Sequence, residues 1–263
     1  MNRTQVTAVI TRGLTKDYGY LGVPGDEWWA EAAGFVDMDE PAVIALRDDN
    51  GLRVLVSGIP SARRDTSHRL IRVTLVLAGD DRPDVLRALV RAVLDDGDRD
   101  NAGVQLDAVL TGPVVEELLG DRTRPIGELG DAVLDALEPL SSAETGAGPR
   151  QDRPGSWVGA VHDEESTARF LGRFDALLAG KADGHALATH QVVSTEGAAR
   201  AEAALGAGTA VLTLSEQSTV TGVTRLGKAG RPDPRPATKP PTSKVVAVVA
   251  ILVLVVALVL WLR

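Results

Sequence analysis

The densest run of chemically capable side chains is Ser57-Gly58-Ile59-Pro60-Ser61-Ala62-Arg63-Arg64-Asp65-Thr66-Ser67-His68-Arg69. Guanidinium groups offer planar paired donors and stay charged at any working pH, so Arg63, Arg64 and Arg69 among hydroxyls can fork a phosphate or carboxylate. Asp65 can hold an arginine in place, and His68 is the side chain there that changes charge near neutrality. Two roles fit these types. In phosphoryl or nucleotide chemistry the arginines would stabilise developing negative charge, with His68 or Asp65 as acid or base. In a binding role the same groups meet an anionic ligand, and the bland alternative is a long exposed hairpin connection with solvated charges. Catalysis requires Arg63, Arg64, Asp65 and His68 to converge with His162 or Asp163 in a concave pocket; binding lets them spread along a convex tip.

A second group is Asp17-Tyr18-Gly19-Tyr20-Leu21-Gly22-Val23-Pro24-Gly25 with Trp28 and Trp29, in a chain with only four Trp, two Tyr and three Phe. Tyr18 and Tyr20 are candidate ligand contacts, although packing beside a turn is the expected use of such rings. Other motifs fail on chemistry. Gly222 to Lys228 has the spacing of a phosphate-binding loop, but Ala229 stands where a magnesium-holding hydroxyl is needed. His185 and His190, five apart in an expected strand, would point to opposite faces and so cannot share an ion. In His162-Asp163-Glu164, Asp163 is best placed to cap a helix. With no cysteine, thiol nucleophiles and thiolate metal sites are excluded. No cofactor and no metal are expected.

The elements that must position these residues follow from periodicity. Strands are expected at Gln5–Leu14, Pro41–Arg47, Leu52–Ile59 and Leu70–Leu77, with Asn50-Gly51 as a hairpin turn. Helices are expected at Gly25–Gly34 and Pro83–Leu94, and no element is assigned between Leu94 and Ser141. After a turn-rich stretch at Ser141–Pro154 the rhythm alternates: strand Ser156–Val161, helix Glu164–Leu178, strand His185–Val193, helix Glu196–Leu205, strand Thr209–Leu214. The expected class is α+β, a mixed sheet with flanking helices and a βαβ-like second half. Residues 1–140 and 155–227, on either side of a loop or linker at 141–154, are expected to form one composite domain, with two subdomains also allowed by size, followed by a basic Pro-rich tether at 228–244 and one C-terminal transmembrane helix at 245–262.

That last expectation rests on eighteen apolar residues from Val245 to Leu262, without Gly, Pro or charge. At 1.5 Å rise they cover about 27 Å, close to the ~30 Å of a bilayer's hydrocarbon. The Lys and Arg excess before this run, and no secretory signal in Met1–Leu14, predict a single-pass cell-membrane protein with a cytoplasmic N-terminal body. The layout resembles that of tail-anchored bacterial proteins, a likeness of layout and not of family. Residues 228–263 carry six basic residues against one acid, so the chain's net charge of −8 leaves −13 on residues 1–227. Such a body is not expected to bind nucleic acid. The expected function is therefore a membrane-anchored binding, adaptor or sensor module, with the bilayer and an anionic ligand or protein as partners. The alternative is a membrane-tethered enzyme using the Arg63/Arg64/Asp65/His68 loop.

Overall fold

Alternating and continuous apolar runs build a sheet whose strands pair well beyond their neighbours in sequence. The computed structural model describes residues 2–22, 27–121, 125–141, 152 and 154–227. Its elements run β1 (Gln5–Thr11), β2 (Gly19–Leu21), a 3₁₀ helix (Ala30–Phe35), β3 (Ala42–Asp48), β4 (Gly51–Arg64), β5 (Leu70–Ala78), α1 (Pro83–Leu94), α2 (Asp96–Asp107), α3 (Gly112–Gly120) and α4 (Gly127–Ser141). Then follow β6 (Trp157–Ala160), α5 (Glu164–Leu178), β7 (Gly184–Thr189), α6 (Thr195–Leu205), β8 (Ala210–Thr213) and β9 (Thr224–Arg225). The nine strands form one mixed sheet in the order β2-β1-β5-β4-β3-β7-β8-β6-β9, an α+β fold. Pairing is antiparallel from β2 across to β7, parallel among β7, β8 and β6, and antiparallel again at β9.

The two halves join through β3 and β7, where Val43 to Arg47 pair with Ala188 to Gly184. Within the second half the path moves from β6 over β8 to β7, then back to β8. Right-handed crossovers that reverse direction must lie on opposite faces. Phe170, Phe174 and Leu177 of α5 enter the larger core together with α1 to α4, whereas Ala198, Ala201 and Leu205 of α6 pack on the other face with Trp29 and Ala32.

Several elements depart from the sequence expectation. β4 continues through Pro60 to Arg64, so Ser57–Arg64 is strand and only residues 65–69 turn. Past Ser57 the β3 side of β4 has no strand partner, and bulges flank Pro60, so the missing N–H breaks no ladder there. The β3–β4 turn falls where expected, but Asp49 and Asn50 are its centre and Gly51, at φ 101°, takes the left-handed position. β7 stops at Thr189 rather than Val193: the Thr189 hydroxyl donates to the Phe35 carbonyl and accepts from Gln191 N–H, turning the chain away. The helix expected at Gly25–Gly34 is the 3₁₀ turn at Ala30–Phe35, set by docking of Trp29 and Ala32. α2 has few apolar residues; Asp95 caps it by accepting from Asp98 N–H, and Gly103 lies so near the Pro60 carbonyl that any Cβ would collide with it.

Apart from Ser141, Asp152 and Pro154, the expected 141–154 linker lies outside the described residues, as do the whole 228–244 tether and 245–262 span. Among the described residues no helix is long and apolar enough to cross a membrane.

Arg173 of α5 is 2 % exposed and ties the second half together. Its Nε donates to Asp152 at 2.8 Å, and its terminal nitrogens donate to the carbonyls of Gly208 at 2.6 Å and Gly155 at 3.0 Å. Removing the guanidinium opens a hole at a buried position and takes the charged donor from the part-buried Asp152 and from both carbonyls. Arg173→Ala is expected to lower unfolding free energy by about 3–5 kcal/mol in urea titrations, and Arg173→Lys to recover only part of it because one ammonium cannot reproduce the fork.

Candidate functional site

The β4–β5 hairpin carries the arginine cluster at its end: Arg63 and Arg64 finish β4, the last strand pair is Arg64 with Leu70, and Arg69 closes the turn between them. Its turn is closed by a hydrogen bond from His68 N–H to the Asp65 carbonyl at 2.9 Å, and His68 adopts φ 61°. Histidine is among the residues that tolerate this left-handed conformation.

Asp65 is the pivot of the tip. Its side chain is 2 % exposed, and its Oδ1 accepts from the N–H groups of Ser67 at 2.8 Å and Arg69 at 2.9 Å. Its Oδ2 receives the Arg69 Nε and a guanidinium nitrogen of Arg12, each at 2.9 Å. The Arg69 N–H, aided by the Arg69 side chain and Ser67 N–H, holds this carboxyl below the usual carboxylate range despite burial. A carboxylate so engaged has no free lone pair for base chemistry.

Arg63 turns inward. It donates to Ser61 Oγ at 2.9 Å, to the Arg12 carbonyl at 3.2 Å and to Thr11 Oγ1 at 3.0 Å, with Asp107 of α2 at 3.9 Å. Burial pulls its basicity down, opposed by Asp107. Arg64 is exposed and bonds the His68 carbonyl at 3.0 Å. The side chains presented outward are therefore Arg64, His68 and Arg69, with Leu70 beside them.

Tyr18 and Tyr20 belong to packing. Both lie against the core on the α6 side of the sheet, together with Trp28, which meets Trp29 edge-on at 5.7 Å. The Tyr18 hydroxyl donates to Asp39 at 2.6 Å and accepts from Arg72 N–H at 3.3 Å, under the Arg12 guanidinium. Burial first, then the bond to Asp39, pushes its pKa up to about 12. Tyr20 donates to Glu27 at 3.1 Å, and burial raises its pKa also.

The tip does not meet His162 or Asp163. β4 and β6 are four places apart in the sheet, about 19 Å at the usual strand spacing, and Asp163 caps α5 by accepting from Ser166 N–H at 3.0 Å. His185 lies in β7 while His190 lies past its end, and burial lowers the pKa of both. Among the described residues there is no cluster of three or more metal-ligating side chains. Two grooves, about 250 Å³ beside α1, α2 and α4 and about 460 Å³ between β1 and α4, contain none of the tip residues. The structure adds residues that sequence spacing does not single out, Thr11, Arg12 and Asp107, because they reach the arginine cluster from β1, the residue after it and α2.

The fold and site thus define an α+β domain with an arginine-bearing hairpin tip. Compared with known families, curated proteins and solved structures, the chain matches none.

A group whose folded pKa is depressed stabilises the fold above its ordinary value, and that stability is lost as pH falls through the folded value. Asp65→Asn is therefore expected to be less stable than the parent at neutral pH, with the difference shrinking below the ordinary value of 3.8. Urea unfolding at stepped pH reads this directly, and a gap that stays constant with pH would contradict the assignment.

Proposed function

We propose that this chain is a membrane-anchored binding module, held to the cell membrane by residues 245–262 with its N-terminal body on the cytoplasmic side, and that the tip of the β4–β5 hairpin is its contact for an anionic partner. One observation carries the reading: the Arg69 side chain is 66 % exposed while Asp65, the acid within the tip, is 2 % exposed. The tip therefore shows cations to solvent and hides its carboxylate. Guanidinium groups arranged in this way recognise phosphate or carboxylate.

The enzyme alternative gains no support from the geometry, since Asp65 is engaged by Arg69 and Arg12, Arg63 is drawn inward to Ser61 and Thr11, and neither groove described above is lined by the tip. Anchoring would supply a sufficient physical role for the apolar run, because confinement to a surface raises the effective concentration of the module toward other membrane-bound partners.

Fractionation tests the anchor. The full chain is expected in the membrane pellet and to resist carbonate extraction, and deletion of residues 228–263 is expected to release the body to the supernatant. Protease added outside spheroplasts should spare residues 1–227; digestion of that body would reverse the proposed orientation.

A further inference from the structure

The hairpin tip pairs its cations with uncovered apolar side chains. Among the described residues four large hydrophobic side chains are exposed, Leu14, Leu70, Val104 and Val193, and two of them belong to this end of the sheet. Leu70 follows Arg69 and Leu14 lies two residues after Arg12, while Arg69 and Arg12 meet on Asp65. Leu14 is 55 % and Leu70 47 % exposed. Arginine beside exposed leucines is the chemistry of a polar–apolar interface: the guanidinium takes phosphate oxygens while the leucines enter the acyl boundary.

Basic side chains are also concentrated in the segments that form the tip and its surroundings. Segments 11–20 and 57–72 hold six basic residues against Asp17 and Asp65, a net +4 that the four acids reaching them from other elements, Glu27, Asp39, Asp107 and Glu116, balance. The acids that approach from neighbouring elements are engaged with the tip itself: Asp39 accepts from Tyr18, Asp107 from Ser61 Oγ and Ala62 N–H, and Glu116 from Leu14 and Thr15 N–H. What an anionic surface can engage is therefore local: the exposed Arg64 and Arg69 side chains at the tip, whose own acid, Asp65, is buried.

We propose that the β4–β5 tip, with Arg64, Arg69, Leu14 and Leu70, seats on an anionic lipid surface and so orients the domain against the bilayer. This rests on the membrane reading above and names the anionic partner as the bilayer's own head groups.

The cysteine-free sequence permits a clean test. Leu70→Cys, labelled with a polarity-sensitive fluorophore, is compared with Asp49→Cys in the turn at the other end of β4. The full chain is placed in nanodiscs of phosphatidylcholine alone or of equal parts phosphatidylcholine and phosphatidylglycerol. The label at position 70 is expected to shift to the blue only in the anionic discs, while the label at position 49 stays unchanged. Arg64→Glu, or salt near 1 M with its ~3 Å screening length, should abolish the shift.

No lipid dependence at position 70, equal shifts at both positions, or a response to polyglutamate without one to anionic lipid would overturn the proposal. The anchor is read separately, by flotation of the full chain with neutral phosphatidylcholine vesicles. Flotation without a blue shift sinks the tip alone; a blue shift upon adding anionic vesicles to a chain that fails to float with neutral ones sinks the anchor alone.

Discussion

The pairing of β3 with β7 is the constraint on which the rest of this structure depends. β3 finishes an antiparallel run of strands and β7 opens a parallel one, so a single ladder, Val43 to Arg47 against Ala188 to Gly184, converts two incomplete sheets into one. Each half by itself would expose a row of unpaired backbone groups along an edge. Joined, they present two continuous faces, and helices from both halves cover them: α1 to α5 on one face, α6 and the 3₁₀ turn on the other. The same ladder fixes the lateral separation of β4 from β6, and with it the distance between the arginine tip and the helix-capping Asp163. Strand order is thus what denies the chain a combined acid–base site from those residues.

At the tip a smaller constraint operates. A carboxylate buried at the end of a two-stranded ribbon must have its oxygens satisfied, since an unpaired buried charge is strongly destabilising. Asp65 meets that demand with backbone N–H groups of its own turn and guanidinium groups from Arg69 and from Arg12, just past the end of β1. The carboxylate orders the turn, and the turn in turn sets Arg64 and Arg69 outward. Arg63, pointing to the opposite side of the strand, is drawn into Ser61, Thr11 and Asp107 and serves the packing of β4 against its neighbours. Three arginines that look alike in the sequence therefore have two different roles, because strand alternation places neighbours on opposite faces.

Much of the architecture was legible from periodicity. The stripes of α1 and α5 set both helices to the residue, and Asp163 was recognisable as a cap because its position before Glu164 leaves it facing unpaired N–H groups. α2 was not legible: it buries only Ala102, Gly103 and Leu106, and its place depends on Gly103 touching the Pro60 carbonyl, a contact that no local pattern announces. The extension of β4 through Pro60 was hidden for a related reason. Proline reads as a strand breaker, and its acceptance here depends on the absence of a β3 partner past Ser57.

Residue types and their spacing alone determined the inventory: which segments are apolar with which period, that an arginine cluster lies between two strands, that thiol chemistry is absent, and that the net charge of residues 1–227 is strongly negative. Tertiary structure alone decided the use of that inventory. Whether Asp65 is a base or a structural pivot depends on Arg12, fifty-three residues earlier in the chain, and whether Arg63 faces solvent or core depends on Asp107 of a helix forty-four residues later. Periodicity reports only what each residue's near neighbours can share, whereas burial and hydrogen-bond partners are set by segments that meet only when the sheet closes.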